Sequence, residues 1–104
     1  MNMPPVDEEG YLIEPDDWND DIAVEFARQE NITLTDDHWY VLRFMRDYYA
    51  EHRVAVDARH VIKHIAEKYG AGSRNMLFEL FPYGYVKQAC KIAGMKRPRA
   101  WSTG

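Results

Sequence analysis

The sequence contains a single cysteine, Cys90, and basic residues surround it. Lys87 precedes it by three positions and Lys91 follows it directly. Further basic residues come soon after, at Lys96, Arg97 and Arg99. Positive charge lowers the pKa of a thiol and favours the thiolate, which is the nucleophile. Cys90 also falls near the predicted end of a helix, where the helix dipole disfavours an anion, and free cysteines are commonly buried as small apolar residues. The pattern therefore leaves both a reactive thiol and a core residue open.

The histidines offer a second candidate for chemistry. His60 and His64 are four positions apart on a predicted helix, a spacing that can bind a metal ion. No third ligand of the HExxH kind accompanies them, and the sequence has no GxSxG motif, no phosphate-binding glycine loop and no paired-cysteine zinc pattern. We therefore predict neither a metal site nor a cofactor, and we interpret the two histidines as part of an ordinary helix face.

Nucleic acid is an alternative ligand for the same helix. A long predicted helix, the turn "VAVD" and a helix with Arg59 and Lys63 are similar in order to a helix-turn-helix unit, whose second helix enters a DNA groove. The basic residues near the C-terminus could add phosphate contacts. A helical hairpin with a solvated polar face is the more common explanation of such a pattern, and the net charge of −4 disfavours nucleic acid.

The charges are unevenly distributed along the chain. Residues 1–37 contain twelve acidic residues and one arginine, a net charge of −11, whereas residues 38–104 contain five acidic and twelve basic residues, a net charge of +7. Such a chain can fold its acidic part over its basic part, or it can present two faces to two partners.

Apolar spacing predicts a mainly α fold of about five helices. The first begins at Asp16 or Asp17 and ends near Glu30, and the second begins at Thr35. The third runs from about Ala58 to Tyr69 with Asp57 as its cap and Gly70 as its stop. The fourth is "RNMLFELF", capped by Ser73, and the fifth runs from about Tyr85 to Ala93 and stops at Gly94. Glu9-Gly10 beside Tyr11-Leu12-Ile13 suggests a short N-terminal β-hairpin, although Pro4 and Pro5 weaken its other strand.

Composition and length narrow the class of protein. The chain has 104 residues, 46% of them hydrophobic, which suits one small folded domain. It has no apolar run near the roughly 20 residues that a membrane-spanning helix needs, and its N-terminus has neither the basic start nor the apolar segment of a secretory signal. We therefore expect a cytoplasmic location and no membrane partner. A single cysteine also excludes a disulfide within one chain.

Several stretches resemble one known family. "DEEGYL" with a later "DDW", then "LTDDHWYVLRFMRDYY" and "LFPYGYVKQACKIAGMKRP", look like the DsrC/TusE family, which includes the gamma protein of dissimilatory sulfite reductase and the sulfur-relay protein of transfer-RNA thiolation. The resemblance covers roughly residues 7–99, and "KQACKIAG" after phenylalanine-proline-x-glycine is its most specific part. It implies a small orthogonal helical bundle with an N-terminal β-hairpin and a flexible C-terminal arm. We accordingly divide the chain into a domain over residues 1–94 and an arm over residues 95–104.

The resemblance also implies a function and its residues. Family members carry sulfur as a persulfide or trisulfide between partner proteins, and they are not self-sufficient enzymes. Cys90 matches the family cysteine of the last helix, whereas the second cysteine, expected eleven positions later, is replaced by Trp101. "GMKRP" also departs from the usual glycine-leucine-proline-lysine-proline.

We therefore predict a sulfur-relay protein with Cys90 as its one sulfur-carrying thiol. Its partners would be sulfur-transfer or sulfite-reductase proteins, docked by the basic residues near Cys90 and by the arm: Lys87, Lys91, Lys96, Arg97, Arg99 and Trp101. The alternative is a regulatory or adaptor homologue without sulfur transfer, which binds protein or DNA through the basic arm and the helix that carries Arg59 and Lys63.

Overall fold

The computed structural model describes residues 3–97 and is helical, as predicted. A 3₁₀ turn (Pro15–Asp17) is followed by four α-helices: α1 (Asp20–Gln29), α2 (Asp36–His52), α3 (Ala58–Tyr69) and α4 (Ser73–Leu80). The last helix, residues 85–92, consists of a π-helical turn (Tyr85–Ala89) and the short α5 (Cys90–Ile92). Within the described residues, no helix combines the length and the apolar character needed to span a lipid bilayer.

Side-chain caps explain where α2 and α3 begin. The Thr35 side chain accepts a hydrogen bond from the backbone N–H of His38, and the Nδ1 atom of the His38 ring accepts one from the backbone N–H of Thr35, which makes a reciprocal cap. The Asp57 carboxylate accepts from the backbone N–H of His60. Each cap pairs an N–H group that has no partner within the helix. Both caps were predicted from the sequence, and both are confirmed.

Two other predicted caps are wrong. Asn19, rather than Asp16 or Asp17, accepts the backbone N–H of Ile22 and begins α1. The two aspartates instead belong to the preceding 3₁₀ turn, which Glu14 caps. α4 begins at Ser73 itself, so that this residue lies inside the helix and makes no cap bond. Gly72 precedes it with φ of 91°, a conformation in which glycine is favoured.

The predicted N-terminal β-hairpin is not present in the described residues. The chain reverses at Gly10 and forms one isolated antiparallel bridge between Val6 and Leu12, without a strand on either side. Pro4 and Pro5 lack backbone N–H donors, which limits how far pairing can extend. The reversal nevertheless places Tyr11 and Leu12 in the core, where each is almost completely buried.

The core is shared among all the helices and this N-terminal segment. Tyr11, Leu12 and Ile92 pack in one cluster with residues from the middle of the chain. The central members from α1 to α4 are Ile22, Phe26, Val41, Leu42, Met45, Val61, Ile65 and Leu77. Because the first and last parts of the described chain meet in this cluster, the last helix packs with residues of the N-terminal segment as well as with those of the other helices.

The predicted arm is described only in its first residues. Met95 is 1% exposed and belongs to the core cluster, whereas Lys96 and Arg97 are exposed. The rest of the arm lies outside the described residues, and the division into residues 1–94 and 95–104 stays a prediction.

Candidate functional site

The last helix positions the cysteine. It begins after Gly84, whose φ of 96° turns the chain sharply after Pro82. The backbone N–H of Cys90 bonds the carbonyl of Tyr85, five residues earlier, which is the π-helical spacing. Cys90, Val86 and Ala93 are all buried.

The Cys90 thiol is completely enclosed. Its exposed fraction is 0%, and the side chain of Tyr85 lies close to it. Burial raises the pKa of the Cys90 thiol to about 12, although the contact with Tyr85 acts in the opposite direction. The basic neighbours in the sequence do not offset burial, because Lys87 is exposed to solvent while Cys90 faces the core. The thiol is therefore protonated in this conformation at neutral pH.

Tyr85, five residues before Cys90 on the same helix, is also buried. Its hydroxyl donates a hydrogen bond to the backbone carbonyl of Val56, which lies between α2 and α3. Burial raises the pKa of Tyr85 well above its ordinary range, so that the hydroxyl is neutral. The sequence did not single out this tyrosine, because nothing local marks a partner that lies 29 positions away.

A cleft of about 320 Å³ opens on the solvent side of the same helix. Its lining comes from the N-terminal segment, α1, the loop before the last helix and the last helix itself: Glu9, Tyr11, Glu30, Tyr83, Lys87, Lys91 and Arg97. The buried ring of Tyr11 contributes to the lining, and the Tyr11 hydroxyl donates to the carbonyl of Val86 at 2.8 Å. The Lys91 ammonium lies 5.1 Å from the centre of the Tyr11 ring, a cation–π distance.

The charges in the cleft are only partly paired. Arg97 forms an ion pair with Glu9, and Glu30 accepts a hydrogen bond from the Gln88 amide at 3.1 Å. Within residues 3–97, no ion pair involves Lys87 or Lys91. The cleft therefore presents two lysine cations that can attract an anionic group.

The structure brings some of the predicted site residues together. Lys87, Lys91 and Arg97 share the cleft, and Cys90 is buried in the helix that carries both lysines. Lys96 is exposed beside Arg97. Arg99 and Trp101 lie outside the described residues, so their predicted role in docking is untested. Sequence reasoning missed Tyr11, Tyr83, Glu9 and Glu30, which belong to the cleft lining.

The α3 face has a different character. Arg59 and Lys63 are exposed, as a nucleic-acid face would require, but they do not belong to the cleft lining. His64 is stacked between the rings of Phe44 and Tyr40, at centroid distances of 4.0 Å and 4.8 Å. These aromatic contacts join α3 to α2 and give the helix pair a structural role. Nothing in the described residues favours the regulatory alternative over the sulfur-relay prediction.

The two helical histidines do not converge on a metal position. The Nδ1 atom of His60 lies 2.9 Å from the Asp57 carboxylate, next to the start of α3, whereas His64 is held by its ring stacks. Among the residues that the structure describes, no three histidine, cysteine, aspartate or glutamate side chains are arranged to hold an ion.

Comparisons with known proteins point to one family. The family model for DsrC-like proteins matches residues 2–100. The sulfurtransferase TusE of Photorhabdus laumondii is 47% identical over 94 residues, which cover 88% of this chain and 85% of that protein. The sulfurtransferase TusE of Escherichia coli K12 is 44% identical, with 88% and 86% covered.

Solved structures agree with the sequence comparisons. The oxidized gamma-subunit of dissimilatory sulfite reductase (DsrC) from Archaeoglobus fulgidus superposes with a TM-score of 0.82 at 31% identity, covering 93% of this chain and 90% of that one. DsrC of Allochromatium vinosum gives a TM-score of 0.79 at 41% identity, with 91% and 87% covered. The match extends over nearly the whole of each protein, and the chain belongs to the DsrC-like protein family.

Proposed function

We propose that this protein is a component of a sulfur relay and that Cys90 is the residue on which it can carry sulfur. The curated relatives named above are sulfurtransferases, which supports the relay role. The observation that carries the residue assignment is the presence of one thiol in the whole sequence. Serine and tryptophan, which follow later in the chain, have no comparable sulfur chemistry.

The transfer step balances without an added oxidant or reductant. The Cys90 thiolate attacks the outer sulfur of a persulfide on a donor protein. A sulfur–sulfur bond forms to Cys90 Sγ, and the sulfur–sulfur bond of the donor breaks. The donor sulfur leaves as a thiolate and takes up the proton that Cys90 released. Because burial disfavours ionisation of Cys90, the reacting state is one in which the thiol has gained access to solvent or to the partner.

The cleft supplies the docking surface in this proposal. Lys87 and Lys91 attract a partner segment rich in aspartate or glutamate, and the exposed Tyr83 ring, at 74%, adds an apolar contact beside them. Tyrosine and arginine are over-represented among residues that dominate binding energy. Lys96 is exposed next to Arg97 of the cleft, whereas Arg99 and Trp101, which lie outside the described residues, stay predicted docking residues. A segment bound here lies against the helix that carries Cys90.

Mass spectrometry tests the thiol assignment. The protein is incubated with glutathione persulfide, digested and compared with Cys90→Ser, a variant that keeps the size of the side chain. We expect the peptide that contains Cys90 to gain the mass of one sulfur atom, and the variant to gain none. If a two-cysteine relative accepts sulfur under the same conditions and this chain does not, Cys90 is not a sulfur carrier.

Charge reversal tests the docking surface separately. Amide chemical shifts are followed while an oligoglutamate peptide is added at low and at high salt. We expect shifts around the cleft, and we expect Lys87→Glu with Lys91→Glu to weaken binding by roughly tenfold. Arg59→Glu with Lys63→Glu, on α3, is the matched control of equal charge change. Equal weakening by both pairs would show that net charge, rather than the cleft, attracts the peptide.

A further inference from the structure

The end of the last helix is held by side chains from the N-terminal half of the chain. The indole N–H of Trp18 donates to the carbonyl of Ile92 at 2.8 Å, and Arg46 donates to the carbonyl of Ala93 at 3.1 Å. The last carbonyls of a helix have no partner within it. Here two of them are paired by residues 74 and 47 positions away, so that the helix end depends on tertiary contacts.

Arg46 connects this helix end to the N-terminal segment. Its other terminal nitrogen donates to the carbonyl of Pro15 at 2.9 Å, and its guanidinium lies 4.7 Å from the centre of the Trp18 ring. Burial lowers the pKa of Arg46, since the protein partly removes the cation from water. A buried cation is favourable only where hydrogen bonds replace its hydration, and the two carbonyls provide those bonds.

Gly94 completes the arrangement by permitting close approach. Its φ is 76°, and a Cβ atom added there would lie 2.4 Å from Cδ1 of Trp18. The indole therefore packs directly on the glycine backbone. Met95 follows, and its N–H bonds the carbonyl of Cys90 at 2.9 Å. Residues 93–95, which we call the closing turn, are all buried.

The last helix has little stability of its own. Its π-helical turn spans five residues and α5 spans three, whereas isolated helices shorter than about 12 residues are marginal in water. Together the π-helical turn and α5 make a helix of eight residues, as short as α4, whereas α1, α2 and α3 have 10, 17 and 12 residues. A protein can open locally at a lower free-energy cost than global unfolding, and the end of this helix depends on the contacts that Trp18 and Arg46 provide.

We propose that Trp18 and Arg46 are positioning residues for Cys90. They hold the closing turn, and release of this turn exposes the thiol while α1 to α4 stay folded. The relevance to sulfur transfer rests on the proposed function. The opening itself does not depend on the proposed function, because it is measured with a reagent that needs no sulfur donor.

The rate of Cys90 alkylation by iodoacetamide tests this inference. The full chain is labelled in a series of low urea concentrations, and the rate is compared with the rate expected from global unfolding. We expect the native protein to label faster than global unfolding allows, with little dependence on urea, which is the behaviour of a local opening. Trp18→Phe keeps an aromatic ring and removes the N–H donor, and it should raise this rate about tenfold.

Two glycine variants provide a matched comparison. Gly94→Ala displaces Trp18 and should also accelerate labelling. Gly72→Ala adds a Cβ at a residue whose φ is similarly positive, 91°, but no atom lies within 4 Å of that Cβ. It should change global stability without changing the urea-independent rate.

Two results would overturn the inference. One is labelling that follows global unfolding, with its full urea dependence, in every variant. The other is an unchanged rate in Trp18→Phe, a variant that keeps the aromatic ring and is therefore expected to fold. A negative sulfur-loading result with accelerated labelling would contradict the proposed function alone.

Discussion

The turn between α3 and α4 lies in solvent, whereas the closing turn is enclosed by the N-terminal half of the chain. Both contain glycine at positive φ, with Gly70 at 74°, Gly72 at 91° and Gly94 at 76°. Nothing lies within 4 Å of a Cβ added at Gly70 or Gly72, whereas Trp18 occupies that space at Gly94. Glycine at positive φ therefore serves chain reversal in one turn, and reversal together with close packing in the other.

The largest difference between the two turns should come from alanine substitution. Gly94→Ala combines left-handed backbone strain of about 1–2 kcal/mol with overpacking against Trp18 of about 1–3 kcal/mol. We expect the free energy of unfolding to fall by roughly 2–5 kcal/mol. Gly72→Ala should lose only the strain component. Urea denaturation of both variants measures the difference, and equal losses would remove the distinction between the turns.

A smaller effect should appear at alkaline pH, because the enclosed turn lies beside a buried thiol. Burial raises the pKa of Cys90 from 9.0 to about 12, so the thiol of the unfolded chain ionises first as pH rises. The stabilisation that the protonated thiol contributes is complete below about pH 9 and is lost as pH approaches about 12. Over this range the free energy of unfolding falls by at most about 1.4 kcal/mol per pH unit.

Cys90→Ala isolates this contribution from that of the tyrosines. Burial also raises the pKa of Tyr11 and Tyr85, and both act in the same direction at higher pH. We expect the free energy of unfolding, measured by urea denaturation across this range, to fall less steeply with pH in Cys90→Ala. Parallel curves for the two proteins would show that the thiol ionises as easily in the folded chain as in the unfolded chain.

The smallest effect is expected at an exposed ion pair. Arg53 and Asp16 are paired at 2.9 Å, and both side chains are more than half exposed. Exposed pairs contribute about 0–1 kcal/mol and are screened by salt. Asp16→Asn should therefore lower the melting temperature only slightly, and added salt should reduce the difference. If Asp16→Asn lost as much stability as Gly94→Ala, this ion pair, rather than the closing turn, would be what holds the N-terminal segment in place.

The helix ends show how far local chemistry can be predicted. Thr35 and Asp57 were each identified as caps because each comes directly before a clear apolar repeat. The start of α1 was misplaced because "PDDWND" contains several residues that can cap, and the sequence does not rank them. Asn19 accepts the cap bond, whereas Asp16 and Asp17 belong to the 3₁₀ turn before it.

The site was less predictable than the helices. The sequence shows that lysines lie near the cysteine, but the direction in which each side chain points depends on how the residues are arranged around the helix axis. The π-helical turn changes that arrangement immediately before Cys90. Contacts such as Tyr11 with Val86 and Trp18 with Ile92 join residues 75 and 74 positions apart. No local pattern encodes such pairs, although the family resemblance identified the segment in which they end.

These distant contacts also affect the order of folding. Helices α1 to α4 can form from residues close in sequence, whereas the last helix is completed only when Tyr11 and Trp18 reach it. Contacts of high sequence separation slow folding, because a long loop must close before they contribute. During synthesis, residues 11–18 therefore wait without these partners until the region around Ile92 has left the ribosome. We expect the cysteine to remain accessible until that late step and to become protected with it.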